Sequence, residues 1–236
     1  VITLLNPLSP VAEGYRRLRT NLQFSDPDRV IRTVVVTSAE PGEGKTVTSV
    51  NLAVALAQSG RKTLYLDTDL RRASGHRMLG VKREPGLVDL LFDALPAGMD
   101  TFATEIDDLF VIPAGRSIPN PAEVLESKKM QEFMARIRQE FDIIIVDSPP
   151  ALAVTDALVV ARQCDSTIMV CAANRTNWHA LDTSTQMLKD IGAHIAGVVL
   201  NKFDASSGSG YGYGSGYGYG YGYGYSEYYG ETPATT

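Results

Sequence analysis

The sequence holds little of what most specialised chemistry needs. It has 1 tryptophan, 2 cysteines and 3 histidines in 236 residues. Cys164 and Cys171 form no C-x-x-C pair and sit in apolar surroundings, which reads as two reduced, buried thiols in a cytoplasmic protein. His76, His179 and His194 lack metal-ligand spacing and read as structural or surface residues. Basic excess is missing too. The 22 Lys and Arg against 27 Asp and Glu leave a net charge of −5, which gives no electrostatic footprint for nucleic acid, so no DNA or RNA partner is expected. No apolar run approaches the roughly 18 residues of a membrane span, and no signal peptide opens the chain. This piece is therefore expected to be soluble. It begins at Val1 and not at methionine, which reads as the cut end of a longer protein.

Glycine and tyrosine are abundant, but in one place. Nine of the eleven tyrosines (Tyr211, Tyr213, Tyr217, Tyr219, Tyr221, Tyr223, Tyr225, Tyr228 and Tyr229) lie near the C-terminus, most of them alternating with glycine. Alternate glycines remove the Cβ that restricts φ and ψ, so this stretch loses too much entropy on ordering to fold alone and is expected to be a disordered tail over 206–236. Two readings of it stand: a sticky tract that self-associates, or a row of phenolic hydroxyls phosphorylated by an adjoining ATP-binding domain.

The remaining residues, about 205, suffice for one domain with a real core. Short β-branched runs at Thr33–Ser38, Thr63–Asp67, Leu109–Pro113, Ile143–Asp147, Thr167–Cys171 and Ile195–Asn201 are apolar on both faces. They alternate with helical stretches at Thr46–Ser59, Ala122–Glu140, Thr155–Arg162 and Trp178–Ile191, the last closed by Gly192. Continuous apolar strands separated by helices predict an α/β fold with a mostly parallel central sheet covered on both faces by helices. Pro10 to Phe24 reads as an extra helix, so residues 1–30 form an N-terminal helical segment and 31–205 the core domain.

After the first strand comes Ala39-Glu40-Pro41-Gly42-Glu43-Gly44-Lys45-Thr46, a P-loop with alanine at the usual first glycine. Gly42 and Gly44 let backbone N–H groups turn towards phosphate oxygens, Lys45 reaches the β and γ phosphates, and the Thr46 hydroxyl binds Mg²⁺. Pro41, Glu43 and Val47 complete the expected nucleotide-binding stretch. Val47, standing where a third glycine would be, rules out a dinucleotide fingerprint. The strand Ile143–Asp147 delivers Asp147 to the sheet edge, where a carboxylate supports Mg²⁺ directly or through water. Asp67 and Asp69, two apart at another strand end, point the same way. Pairing with Arg71, Arg72 or Arg77 is their bland reading. Beside a P-loop, Asp69 is instead the expected base, since it lies farther past the strand, and Asp67 the metal support. A tyrosine hydroxyl, with a pKa near 10, needs such a base to attack a phosphoryl group. At the last strand end, Asn201-Lys202-Phe203-Asp204 has the form of a base-recognition element that leaves ATP and GTP both open, or of a plain polar turn.

These residues together resemble the bacterial tyrosine kinases, P-loop enzymes of capsule and exopolysaccharide synthesis. The match spans nearly the whole chain: the P-loop, an Asp-x-Asp-x-Arg element (Asp67, Asp69, Arg71), Asp147 with Pro149, and a tyrosine cluster. The resemblance implies ATP and Mg²⁺ as cofactors, Asn201 near adenine, and Lys45, Asp67, Asp69 and Arg71 as the catalytic set. It implies phosphorylation of tail tyrosines by a neighbouring subunit in a ring, an octamer by analogy, reversed by a cognate tyrosine phosphatase. It also assigns subunit packing to Glu13, Arg16 and Arg19, which by spacing alone are a solvated pair and a neighbour on one helix face. A membrane-spanning activator region, fused or separate, places such a domain at the cytoplasmic face of the bacterial plasma membrane, and a removed membrane segment accounts for the start at Val1. Tyr65 departs from the pattern, in which that strand is aliphatic. The rival is a partition or septum-site ATPase switch of the same fold. Such switches carry an extra lysine at the start of the P-loop, which Ser38-Ala39-Glu40-Pro41 lacks. An iron–sulfur scaffold would need a cysteine pair.

Overall fold

The computed structural model describes residues 1–92 and 98–203. The tail tyrosines and Asp204 lie outside the described residues. Val1 to Asn201 form one compact unit. Six strands, β1 (Thr33–Ser38), β2 (Thr63–Asp67), β3 (Leu109–Ile112), β4 (Ile143–Asp147), β5 (Ser166–Ala172) and β6 (Ile195–Asn201), make one sheet in the order β3-β2-β4-β1-β5-β6. Every neighbouring pair is parallel. The α/β class predicted from the apolar runs is the observed one.

Alternation along each strand sends successive side chains to opposite faces. Val34, Val36, Ile143, Ile145, Ile168 and Val170 pack on one side against α3 (Lys45–Ala57), with Leu22 of α2 (Pro10–Gln23) in the same cluster. Val35, Leu64, Leu66, Ile144, Val146 and Met169 pack on the other side. There they meet α5 (Leu87–Phe92), α6 (Pro121–Glu126), α7 (Lys128–Glu140), α8 (Asp156–Gln163) and α9 (Trp178–Asp190). Two short helices, α1 (Ile2–Leu5) and α4 (Gly75–Met78), fall below the length at which apolar periodicity is legible.

Two expectations need correction. The single helix expected over Ala122–Glu140 is broken at Ser127, whose backbone turns extended (ψ 154°) while its Oγ accepts the Met130 N–H at 3.2 Å and caps α7. A serine inside a helical run competes for backbone donors, and here the cap prevails over continuity. The expected covering of every strand on both faces also fails at β6. It is an edge strand, and its Val198 and Leu200 are 52 % and 56 % exposed.

Candidate functional site

β1 runs into the loop 39–44 and then into α3, so the first turn of α3 faces the carboxyl ends of the strands. Gly42 and Gly44 have φ of +81° and +101°, a left-handed backbone that other residues adopt only at a cost. The loop is held from behind. Glu43 is fully buried; its carboxylate accepts the Glu40 N–H at 2.8 Å and the Thr176 hydroxyl. Arg175 donates to the Pro41 and Gly42 carbonyls at 3.2 and 3.4 Å. The Asn201 amide donates to the Glu43 carbonyl at 3.0 Å and fills the space where a Cβ on Gly44 would sit. Pro41, Gly42 and Val47 are solvent-exposed.

Three carboxylates converge on the start of α3. Asp67 and Asp147 are directly opposed at the ends of β2 and β4. Asp69 follows, its N–H donating to Asp67 Oδ1 at 3.1 Å and its Oδ1 accepting the Arg72 N–H at 2.9 Å. Lys45 Nζ donates to Asp69 Oδ2 at 3.1 Å, so the P-loop lysine and the expected base are paired. Thr46 stands beside Asp147 and helps to hold its carboxyl down. All three carboxylates are buried. Burial raises Asp147, against the opposing pull of Lys45. Burial, then the charges of Asp147 and Asp69, raise Asp67 well above the ordinary carboxylate range.

A divalent cation fits this arrangement. Asp67 Oδ2 has no hydrogen-bond partner among the described residues and is shut away from water. A buried carboxyl oxygen left unpaired is costly, and a hard cation with oxygen ligands from Asp67, Asp147 and Thr46 would satisfy it. No cluster of three or more His, Cys, Asp or Glu among the described residues forms a ready all-protein metal cage. Mg²⁺ keeps waters and phosphate oxygens and needs few protein ligands, so two carboxylates and a hydroxyl could support it.

Other predicted residues fall elsewhere. Arg71 is not aimed at Asp67 or Asp69: its guanidinium forks onto the fully buried Asp156 at 2.9 and 3.1 Å. Glu13 and Arg16 pair at 2.6 Å, and Arg19 donates to the Ala55 carbonyl at the end of α3, tying α2 to the core. Reading the sequence missed four contributors. Tyr65 Oη donates to Asp147 Oδ2 at 3.0 Å, and Ser49 Oγ, 2.9 Å from the Lys45 carbonyl, lies 3.2 Å from the other oxygen of Asp147. Ser49 lies one helical turn after Lys45, and Tyr65 two residues before Asp67, so each spacing carried a signal. Asp156 and Thr176 carried none.

A parallel sheet, a glycine-turned loop ahead of a helix, its lysine, and acidic strand ends beside it define a P-loop NTPase. The model of the AAA domain family matches residues 31–198. Tyrosine-protein kinase CpsD of Streptococcus pneumoniae serotype 4 is 39% identical over 198 residues, 82% of this chain and 85% of that protein. YwqD of Bacillus subtilis, also a tyrosine-protein kinase, is 35% identical over 201 residues, 85% of each. The kinase domain of the Escherichia coli tyrosine kinase ETK superposes with a TM-score of 0.81 at 32% identity, covering 91% of this chain and 84% of that one. The chain belongs to the bacterial tyrosine-protein kinases. Against Wzc of Salmonella typhimurium, 33% identical, it spans 27% of the relative's length. The septum-site-determining protein MinD of Pyrococcus horikoshii, solved with Mg-ADP, is more distant, with a TM-score of 0.62 at 27% identity over 75% of this chain and 72% of that one. The rival switch reading therefore has the weaker likeness. No helix among the described residues is long and apolar enough to cross a membrane.

Proposed function

We propose that this tyrosine kinase transfers the γ-phosphoryl group of ATP to tyrosines in the 211–229 cluster of a neighbouring subunit in a ring-shaped homo-oligomer. It thereby regulates exopolysaccharide or capsule polymerisation and export at the cytoplasmic face of the membrane. The observation that carries the reading is the Lys45–Asp69 contact at 3.1 Å beside two further buried carboxylates. Lys45 is the phosphate-facing cation of a P-loop, and Asp69 stands next to it at the chain position of a base for an incoming hydroxyl.

In this mechanism the turned N–H groups of 42–46 receive the phosphates, and Lys45 shifts from Asp69 to the β and γ oxygens when nucleotide enters. Asp69, released from its cation, takes the phenolic proton. Asp67, Asp147 and Thr46 would hold Mg²⁺, which supplies charge neutralisation at the phosphates. Asn201, already hydrogen-bonded to the P-loop backbone, is the proposed contact to adenine. Arg71 acts on the loop after β2 through its fork to Asp156. The tail follows β6 in sequence, and twenty extended residues span up to roughly 65 Å, ample for reaching a neighbour. Each phosphate adds about −1.5 to −2 charges, so several on one tail repel each other and the acidic domain. Multiple phosphorylation then expels the tail and loosens the ring, in which Glu13, Arg16 and Arg19 form the contact face. A membrane-spanning activator and a phosphatase complete the cycle.

The trans step is tested by mixing two full-length chains, one Asp69→Asn with its tyrosines intact, the other active but with all nine tail tyrosines changed to Phe. Phosphate on the Asp69→Asn tail is the expected result. Its absence, with ATP hydrolysis retained by the Phe-tailed chain, contradicts transfer between subunits.

A further inference from the structure

We infer that Tyr65 is a positioning residue for the metal-supporting carboxylate Asp147, and that Gly75 is the space reserved for its hydroxyl. Tyr65 is fully buried inside a strand, where a phenol hydroxyl needs a partner. It finds one in Asp147 Oδ2 at 3.0 Å; Ser49 Oγ stands 3.2 Å from Oδ1 but shares its single proton with the nearer Lys45 carbonyl at 2.9 Å. Tyr65 on β2 is thereby the neutral donor committed to Asp147, with Ser49 of α3 a shared second neighbour. Each oxygen keeps further lone pairs, so the grip fixes the carboxylate plane without consuming its capacity to support a cation. Ligand carboxylates are commonly oriented by such outer hydrogen bonds, and their loss typically costs 10–100-fold in metal affinity.

Gly75 shows that the hydroxyl's place is built for it. A Cβ there would stand 1.9 Å from Tyr65 Oη and 2.4 Å from the ring carbon bearing it. Its φ is not in the left-handed region, so backbone conformation does not demand glycine. The side chain missing at residue 75 is what admits the hydroxyl to Asp147.

This inference rests on the proposed Mg²⁺-nucleotide reading, and the test separates the two. Calorimetry gives the ADP affinity of the full chain with Mg²⁺ and with EDTA, and the ratio of the two is the metal linkage. Wild type is expected to bind more tightly with Mg²⁺. Tyr65→Phe, which keeps the ring and removes the donor, is expected to lose about tenfold of that ratio while its EDTA affinity stays within about twofold. Tyr65→Leu combined with Gly75→Ala refills the same space without a hydroxyl and is expected to show the same loss, and it is read instead if Tyr65→Phe does not fold. A wild-type ratio retained in the folded variant overturns the positioning role, since a purely space-filling tyrosine would leave the linkage untouched. Wild type with no ratio at all overturns the Mg²⁺ reading beneath it.

Discussion

Replacing Asp67 by Asn should stabilise the metal-free protein and abolish its response to Mg²⁺-nucleotide. Asp67 is fully buried, its Oδ2 lacks a partner among the described residues, and its Cα partner across the sheet is Asp147. An unsatisfied buried polar group costs about 1–3 kcal/mol, and more when charged. Asparagine keeps the acceptor that receives the Asp69 N–H at 3.1 Å. It also removes one of three like charges and offers N–H donors to the neighbouring carboxylates. The expected gain is about 2 kcal/mol in EDTA, which for a domain of this size raises Tm by roughly 4–8 °C. Because burial and like charge raise Asp67 in the folded state, the native wild-type chain holds its proton more tightly than the unfolded one. Wild-type stability therefore falls as pH rises above the ordinary carboxylate pKa of about 4, and the advantage of Asp67→Asn widens in that direction. The assay is urea unfolding across pH 4 to 8, with EDTA and with Mg²⁺ plus ADP. A less stable Asp67→Asn protein in EDTA would refute the reasoning, because it would mean that the charge is compensated in the apo fold.

Three further outcomes follow from the same geometry. Arg71→Ala should destabilise more than Asp156→Ala, by about 3 against about 1 kcal/mol in urea unfolding: Asp156 is fully buried and would be left unpaired, whereas the Arg71 side chain is 41 % exposed and can rehydrate. Glu43→Ala, which frees the Glu40 N–H and the Thr176 hydroxyl behind the P-loop, should weaken ADP binding about tenfold by calorimetry with less than about 2 kcal/mol lost in folding. At Asp165, burial pushes the carboxyl up, but the Arg138 guanidinium, the Arg32 and Thr33 amides and the Thr33 hydroxyl outweigh it and hold it below its ordinary range. Its contribution is therefore present above about pH 4 and lost as pH falls through the lower folded value, and Asp165→Asn should remove that acid-side dependence from the unfolding curve.

What the sequence revealed depended on how far each signal reached along the chain. Apolar strands are local, and all six lie where their β-branched runs stand. The P-loop is local as well, so Gly42, Gly44, Lys45 and Thr46 could be read in line. Asp67, Asp69 and Asp147 were legible because strand ends in an open α/β sheet collect at one edge. The sheet does not state where long side chains finish. Arg71 stood next to two aspartates in sequence and went instead to Asp156, 85 residues away. Ser127 was read through because helix periodicity on both sides masked a cap, and the exposure of β6 reflects its place at the sheet edge, which its own residues do not encode. Tyr65 was noticed as an oddity in an aliphatic strand; only the position of Gly75 explains how it fits.

The most direct test of the central claim is intact-mass spectrometry of the purified chain after incubation with Mg²⁺ and either ATP or GTP, beside an Asp69→Asn variant. A ladder of added phosphates with ATP alone, mapped to the 211–229 tyrosines and absent from the variant, is the predicted result. Nucleotide hydrolysis without any added mass would contradict it and favour a partner-binding ATPase switch.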